Sequence, residues 1–169
     1  VLAQRMLPRQ KGLELNVGTL SNESPGRNYY LNIAAIVNGK NGNYKIWGVE
    51  YAHQYYQYKG LRIPHQTFSA EGGYSFYLIG DTYRNITLNA ALTAIAGYES
   101  INKGEAVLFD GAKIVGEDNF IYGAGARLSF ETYLSDNLVL LLQVRLKAFL
   151  GTDMEQFRTS VGIGLRFNF

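Results

Sequence analysis

The sequence predicts an all-β fold, an eight-stranded antiparallel up-and-down transmembrane β-barrel with a side-chain-filled interior. Three observations predict it. Apolar and polar residues alternate at period two through eight segments, most of them ten residues or longer, which is long for a soluble sheet and suits strands tilted across a bilayer. The links between segments alternate short and long. Aromatic residues on the apolar face gather near both ends of the segments and leave aliphatic residues between.

Composition narrows the class first. The chain has 169 residues, room for one domain, and 16 Lys plus Arg face 14 Asp plus Glu. Such near-neutrality lacks the cationic excess that binds a phosphate backbone, so no direct nucleic-acid binding is expected. With 13 Tyr, 19 Gly and 3 Pro, strands and tight turns are favoured. There is no Cys, so disulfides, thiolate metal sites and an acylated N-terminal Cys are excluded. The longest apolar run is Leu138 to Leu142, far short of the ~18 residues of a spanning helix. Any crossing of a membrane must be made by strands. Val1-Leu2-Ala3 fits the small-residue end of a signal peptide cut ahead of Gln4; a boundary unrelated to processing fits as well.

The strands are expected at about residues 12–20, 28–38, 43–57, 66–79, 85–99, 118–132, 138–150 and 157–169. Residues 1–11 are expected to form a periplasmic N-terminal segment ahead of a barrel over 12–169. The last segment alternates most cleanly. Phe157, Thr159, Val161, Ile163, Leu165, Phe167 and Phe169 oppose Arg158, Ser160, Gly162, Gly164, Arg166 and Asn168. A helix would scatter both sets around its axis. Short links are expected at Asn38-Gly39-Lys40-Asn41-Gly42, at Gly80 to Arg84 and at Tyr133 to Asn137, and longer ones near 21–27, 58–65, 100–117 and 151–156. Asn-Gly accepts the positive φ of a tight hairpin turn. Short turns at one end and long loops at the other place the turns in the periplasm of a bacterial outer membrane.

Two features set the direction of the faces. On the apolar face, Tyr29, Tyr51, Tyr55, Phe68, Tyr98, Tyr122 and Phe157 lie at the long-loop ends. Trp47, Tyr74, Phe76, Phe130, Phe167 and Phe169 lie at the short-turn ends. Two such belts match two membrane interfaces, whereas a ligand cavity has no reason to sort aromatics to both rims. On the polar face, parity puts Glu14, Glu50, Glu71, Glu99 and Glu131 with Arg127, Arg145, Lys147, Arg158 and Arg166. Five charges of each sign pointing inward can pair as a charge network. Gly73, Gly97, Gly123, Gly125, Gly162 and Gly164 make room for them, and eight strands enclose space just wide enough for side chains to fill. A plug is expected rather than a pore.

No cofactor, metal site or catalytic group emerges. His53 falls on the outward face near the top of the third strand and reads as an interfacial residue; His65 falls in the second long link. Ser69 is four residues beyond His65, roughly 13 Å along an extended chain, too far for a nucleophile and its base. Glu105, Asp110, Glu117 and Asp118 match no calcium-loop spacing. The apolar run Ala106-Val107-Leu108-Phe109 in the same loop is a candidate cap or docking surface.

Gln4-Arg5-Met6-Leu7-Pro8 with Gln10-Lys11-Gly12-Leu13-Glu14, the turn Asn38-Gly39-Lys40-Asn41-Gly42-Asn43-Tyr44, Tyr58-Lys59-Gly60-Leu61-Arg62-Ile63-Pro64 and the ending Gly162 to Phe169 together resemble the TraO proteins of Bacteroides-type conjugative transposons. Asp118 to Gly125 and Phe130 to Asp136 belong to the same resemblance, which spans nearly the whole chain. It implies a non-enzymatic outer-membrane component of a conjugative DNA-transfer apparatus, and supplies no catalytic or binding residues. Expected partners are outer-membrane lipid and lipopolysaccharide, the barrel-insertion machinery through the C-terminal strand ending at Phe169, and other conjugation or outer-membrane proteins. The rival expectations are a lipid-modifying barrel enzyme, a soluble lipid-binding barrel and a small structural barrel unrelated to transfer.

Overall fold

The computed structural model describes residues 6–20, 27–58, 60–101, 119–152 and 155–169, with the side chains of 57, 58, 61 and 101 also outside the description. Eight strands run β1 Lys11–Leu20, β2 Tyr29–Asn38, β3 Tyr44–Tyr58, β4 Leu61–Gly80, β5 Ile86–Ile101, β6 Asn119–Tyr133, β7 Leu138–Leu150 and β8 Phe157–Asn168. Each pairs antiparallel with its sequence neighbours, and β1 pairs with β8 from Gly12↔Asn168 to Leu20↔Ser160, so the sheet closes into a barrel. Closure satisfies every strand edge, which a bilayer requires because lipid tails offer no hydrogen bonds. Period-two burial is kept along the strands: β8 alternates exposed and buried from Phe157 to Asn168 without a break.

The turns at the short-link end follow from their residues. Asn41 and Gly42 take φ of 60° and 81°, the left-handed pair that Asn-Gly tolerates, and Gly39 N–H donates to Asn43 O at 2.7 Å. Asp81 closes the β4–β5 turn. Its carboxylate accepts from Ile86 N–H at 2.9 Å and from Asn85 Nδ2 at 3.0 Å. Those bonds, the backbone one foremost, lower its pKa below the usual Asp value. A bulge at Leu78 shifts the β4–β5 register between Tyr77 and Ile79, leaving both Leu78 and Ile79 exposed on the outer wall.

The structure corrects the link expected at 58–65. β4 begins at Leu61, which pairs with Tyr58, so the connection is a tight turn in which Gly60 takes φ of 80°. Proline cannot donate to a ladder, so Pro64 within β4 needs an edge position. Here Tyr55 N–H points toward Asn28 Oδ1 at 2.9 Å, on the β2 side. Its ladder partner Pro64 therefore turns its nitrogen toward β5, which ends one pair lower at Ile101↔His65. Proline occupies an edge position, and the β3–β4 ribbon stands taller than its neighbours.

The N-terminal segment also differs from a free periplasmic tail. Residues 6–10 fold against the short-turn mouth: Arg9 N–H donates to Asn38 O at 2.8 Å, and Asn38 N–H donates to Gln10 O at 2.8 Å. Met6 is buried against the inward-facing Tyr133, Val139 and Leu141, with Tyr77 beside them. This contact explains why the run Leu138 to Leu142 is apolar on both faces. The expected signal-peptide remnant Val1-Leu2-Ala3, the loop carboxylates Glu105, Asp110, Glu117 and Asp118, and the run Ala106 to Phe109 lie outside the described residues.

Candidate functional site

The interior of the barrel is the site the chain invests in most heavily. All ten inward charges fixed by strand parity are buried, and they assemble into three layers stacked along the axis.

The layer nearest the short turns is built around Glu14 and Glu131. Glu14 Oε1 accepts from Arg127 Nη1 at 2.9 Å, Asn16 Nδ2 at 2.8 Å and Gln143 Nε2 at 3.0 Å. Its Oε2 accepts from Arg166 Nε and Nη2 at 3.1 and 3.0 Å. Arg166 also donates to Glu131 through Nη1 at 2.8 Å and Nη2 at 3.1 Å, and its guanidinium lies 4.4 Å over the Tyr44 ring. Tyr44 hydroxyl and Asn89 Nδ2 complete Glu131 at 2.5 and 3.2 Å. The middle layer pairs Glu50 with Arg145 and, at 3.0 Å, with Lys147. Lys147 also lies 3.7 Å from Glu71, whose other oxygen accepts from Asn32 at 3.0 Å. Asn16 Nδ2 donates to Asn32 at 3.1 Å and ties this layer to the one below. Arg145 stacks 4.1 Å over the Tyr30 ring.

The upper layer, beneath the long loops, centres on Glu99. It accepts from Arg158 Nη2 at 2.6 Å and Thr152 hydroxyl at 2.7 Å, and His65 Nε2 lies 2.9 Å from it. Arg158 Nε donates to Glu155 O at 3.0 Å, so this layer also ties down the β7–β8 connection. His65 is the residue the sequence placed wrongly. The longer β4 puts it inside the barrel, fully buried, rather than in a loop. Gln54 Nε2 lies 3.2 Å from the His65 Nδ1. The only sequence signal for this placement was parity, because His65 is in step with Thr67 and Ser69 if the strand is extended backwards.

Each layer is neutral by itself: Glu14 and Glu131 with Arg127 and Arg166, Glu50 and Glu71 with Arg145 and Lys147, Glu99 with Arg158. A buried charge without its counter-charge costs several kcal/mol, so pairing within each layer is what lets the polar core exist. Small residues permit the approach. A Cβ at Gly162 would overlap the Tyr30 hydroxyl, and one at Gly164 would overlap Asn16 Oδ1. Two interior cavities lined by these charges measure about 20 and 10 Å3, room for single waters.

The aromatic residues of the outer wall differ in how far they stand out from it. Trp47, Phe68, Phe76, Tyr98, Tyr122, Phe130, Phe157, Phe167, Phe169 and Tyr29 are exposed, and Tyr51, Tyr55 and Tyr74 are half-buried against neighbours. Trp47 covers Gly72 on the next strand, where a Cβ would come within 2.7 Å of the indole. His53 faces outward between Tyr29 and Tyr55, with ring centroids at 5.7 and 4.8 Å. Phe120 and Tyr83 are exposed aromatics that the sequence reading passed over.

A closed eight-stranded antiparallel barrel with an apolar wall and a sealed polar core defines an outer-membrane barrel. Solved structures agree on the fold. The chain is similar to Neisserial surface protein A (13% identity, 95% of each chain, TM-score 0.64). It is similar to a major outer membrane protein of Thermus thermophilus (9% identity, 95% of this chain and 98% of that one, TM-score 0.66). It is also similar to the attachment invasion locus protein Ail of Yersinia pestis (10% identity, 96% and 100% covered, TM-score 0.61). No curated protein sequence matches the chain. Residues 7–169 match the family described as conjugative transposon protein TraO, and the chain belongs to that family.

Proposed function

We propose that this conjugation-related outer-membrane barrel acts as a sealed, non-enzymatic anchor that recruits other transfer proteins through its rims. The observation that carries the reading is the filled interior. Three neutral charge layers of fully or nearly buried side chains cross the barrel, and the two cavities they line, about 20 and 10 Å3, are far too small for a strand of DNA. The barrel then contributes a fixed point in the membrane, and work is done at its ends. Three long connections serve as extracellular contact surfaces, and the C-terminal strand ending at Phe169 serves the insertion machinery. Against a lipid-modifying enzyme stands the placement of the two histidines: His65 is fully buried between Glu99 and Gln54, and His53 lies among tyrosines on the outer wall.

Mating frequency, planar-bilayer conductance and co-purification test this together. Deletion should lower transfer, the purified monomer should give no stable conductance, and the tagged barrel should bring other transfer proteins down from donor cells. Large steady conductance would overturn the sealed anchor. Altered outer-membrane lipid profiles in an H53A/H65Q double variant would favour the enzyme.

A further inference from the structure

The interior takes five charges of each sign. Outside it, among the described residues, the short-turn end carries Arg9, Lys11, Lys40, Lys45 and Arg84 against Asp81 and Asp136, a net of +3. The periplasmic end is basic.

Four of the basic residues lie on one quadrant. Lys11 pairs with Val37, and Val37 pairs with Lys45, so the two lysines flank one valine in a single row across β1, β2 and β3. Lys40 sits in the turn below them, and Arg9 is held there by its backbone bond to Asn38. All four are exposed, and among the described residues no carboxylate pairs with any of them. The chain has no Asp or Glu from residue 1 to 13 or from 37 to 49. The two side-chain carboxylates at this end lie on the β4–β5 and β6–β7 turns, and Asp81 is occupied within its own.

The row has a definite height. Lys11 and Lys45 share outward parity with Leu13 and Trp47 and lie one outward step closer to the turns. That is just below the lower aromatic belt, where phospholipid headgroups lie and where long cationic side chains place their charge. Two ladder spacings separate the lysines, about 10 Å.

We propose that the β1–β2–β3 quadrant of the periplasmic rim binds the phosphate groups of anionic phospholipids in the inner leaflet of the outer membrane. An acidic protein would meet the tips of the turns. Lys11 and Lys45 instead project sideways from the wall beside lipid-facing Trp47, so a lipid headgroup fits their direction better. Binding there fixes the depth and tilt of the barrel from its periplasmic side.

The test uses the full chain refolded into nanodiscs of mixed phosphatidylcholine and phosphatidylglycerol, with retained lipids counted by native mass spectrometry. The wild-type barrel should keep phosphatidylglycerol preferentially, and this preference should fall with salt. K11Q/K45Q should lose about fivefold per cation removed, while R27Q/R62Q at the opposite rim should change nothing. Heat-modifiable migration on gels verifies that each variant is folded. No phosphatidylglycerol preference in the wild type, or an undiminished one in folded K11Q/K45Q, would overturn the proposal. If R9Q/K40Q lost capture of an acidic periplasmic protein while lipid retention stayed intact, the surface would be a protein dock instead.

Discussion

Replacing Glu14 with Gln probes the core where its charges are most concentrated. The substitution keeps volume and shape but leaves the lower layer with Arg127 and Arg166 against Glu131 alone. Arg166 retains both of its bonds to Glu131 at 2.8 and 3.1 Å. Arg127 does not share that fallback, because Glu14 is the carboxylate it pairs with among the described residues. Removing one partner of a buried pair costs about 3–5 kcal/mol, and the glutamine oxygen can still accept one hydrogen bond, so E14Q should fall toward the lower figure, about 3 kcal/mol. Adding R127Q restores neutrality to the layer. The double variant should therefore recover about 1–2 kcal/mol, a coupling read directly from the cycle. Equilibrium unfolding in urea from lipid vesicles is a suitable assay. Trp47, the single tryptophan, stands in the wall at 62% exposure and reports insertion by its fluorescence. If E14Q unfolded within about 0.5 kcal/mol of wild type, or if R127Q added to E14Q without recovery, layer-by-layer neutrality would not be what stabilises the core.

Other perturbations test separate parts of the fold. Gly162→Ala pushes a Cβ into the Tyr30 hydroxyl and toward Val17 O at 2.6 Å, so it should cost about 1–3 kcal/mol; Y30F in the same chain should return only part, because the carbonyl remains. Met6→Ala empties a buried contact against Tyr133, Val139 and Leu141. It should cost about 2 kcal/mol and speed amide exchange at Arg9 and Asn38 while the β7–β8 ladder keeps its protection. Asp81 supplies a pH test with a fixed sign. Its folded pKa is lowered, chiefly by the Ile86 N–H bond, so its contribution is full above the unfolded Asp pKa and lost as pH falls through the lower folded value. The protection of the Ile86 amide, taken relative to its intrinsic exchange rate at each pH, should fall on that descent, and D81N should remove the dependence.

Strand positions and faces were legible because period two is strict wherever one side meets lipid and the other a polar core. The same parity brought ten charges to the interior without showing which would meet, since pairs such as Arg145 with Glu50 join strands that are not neighbours. Three features escaped for definite reasons. Pro64 hid the start of β4, because an edge position that tolerates proline depends on where β5 ends. His65 was misplaced with it. Met6 and Arg9 carry positive φ, at 55° and 72°, and a strap of irregular backbone leaves no periodic trace. The inward Val139 and Leu141 are apolar because Met6 packs against them.

The order of the charges along the chain adds a property that no single layer displays. Every interior Arg and Lys named above lies on β6, β7 or β8: Arg127, Arg145, Lys147, Arg158 and Arg166. Four of the five interior carboxylates, Glu14, Glu50, Glu71 and Glu99, lie on β1 to β5. Glu131 with Arg166 is the pair made within the C-terminal three strands; the other Arg and Lys pairs span the two parts of the chain. An N-terminal sheet of five strands thus presents an anionic polar face, and a C-terminal sheet of three presents a cationic one. Neither can neutralise itself, and like charges on one face oppose collapse of either sheet alone. Attraction between the faces is satisfied only as the barrel closes and β8 reaches β1, where Arg166 meets Glu14. The charge pattern that fills the barrel therefore also favours closure over premature packing.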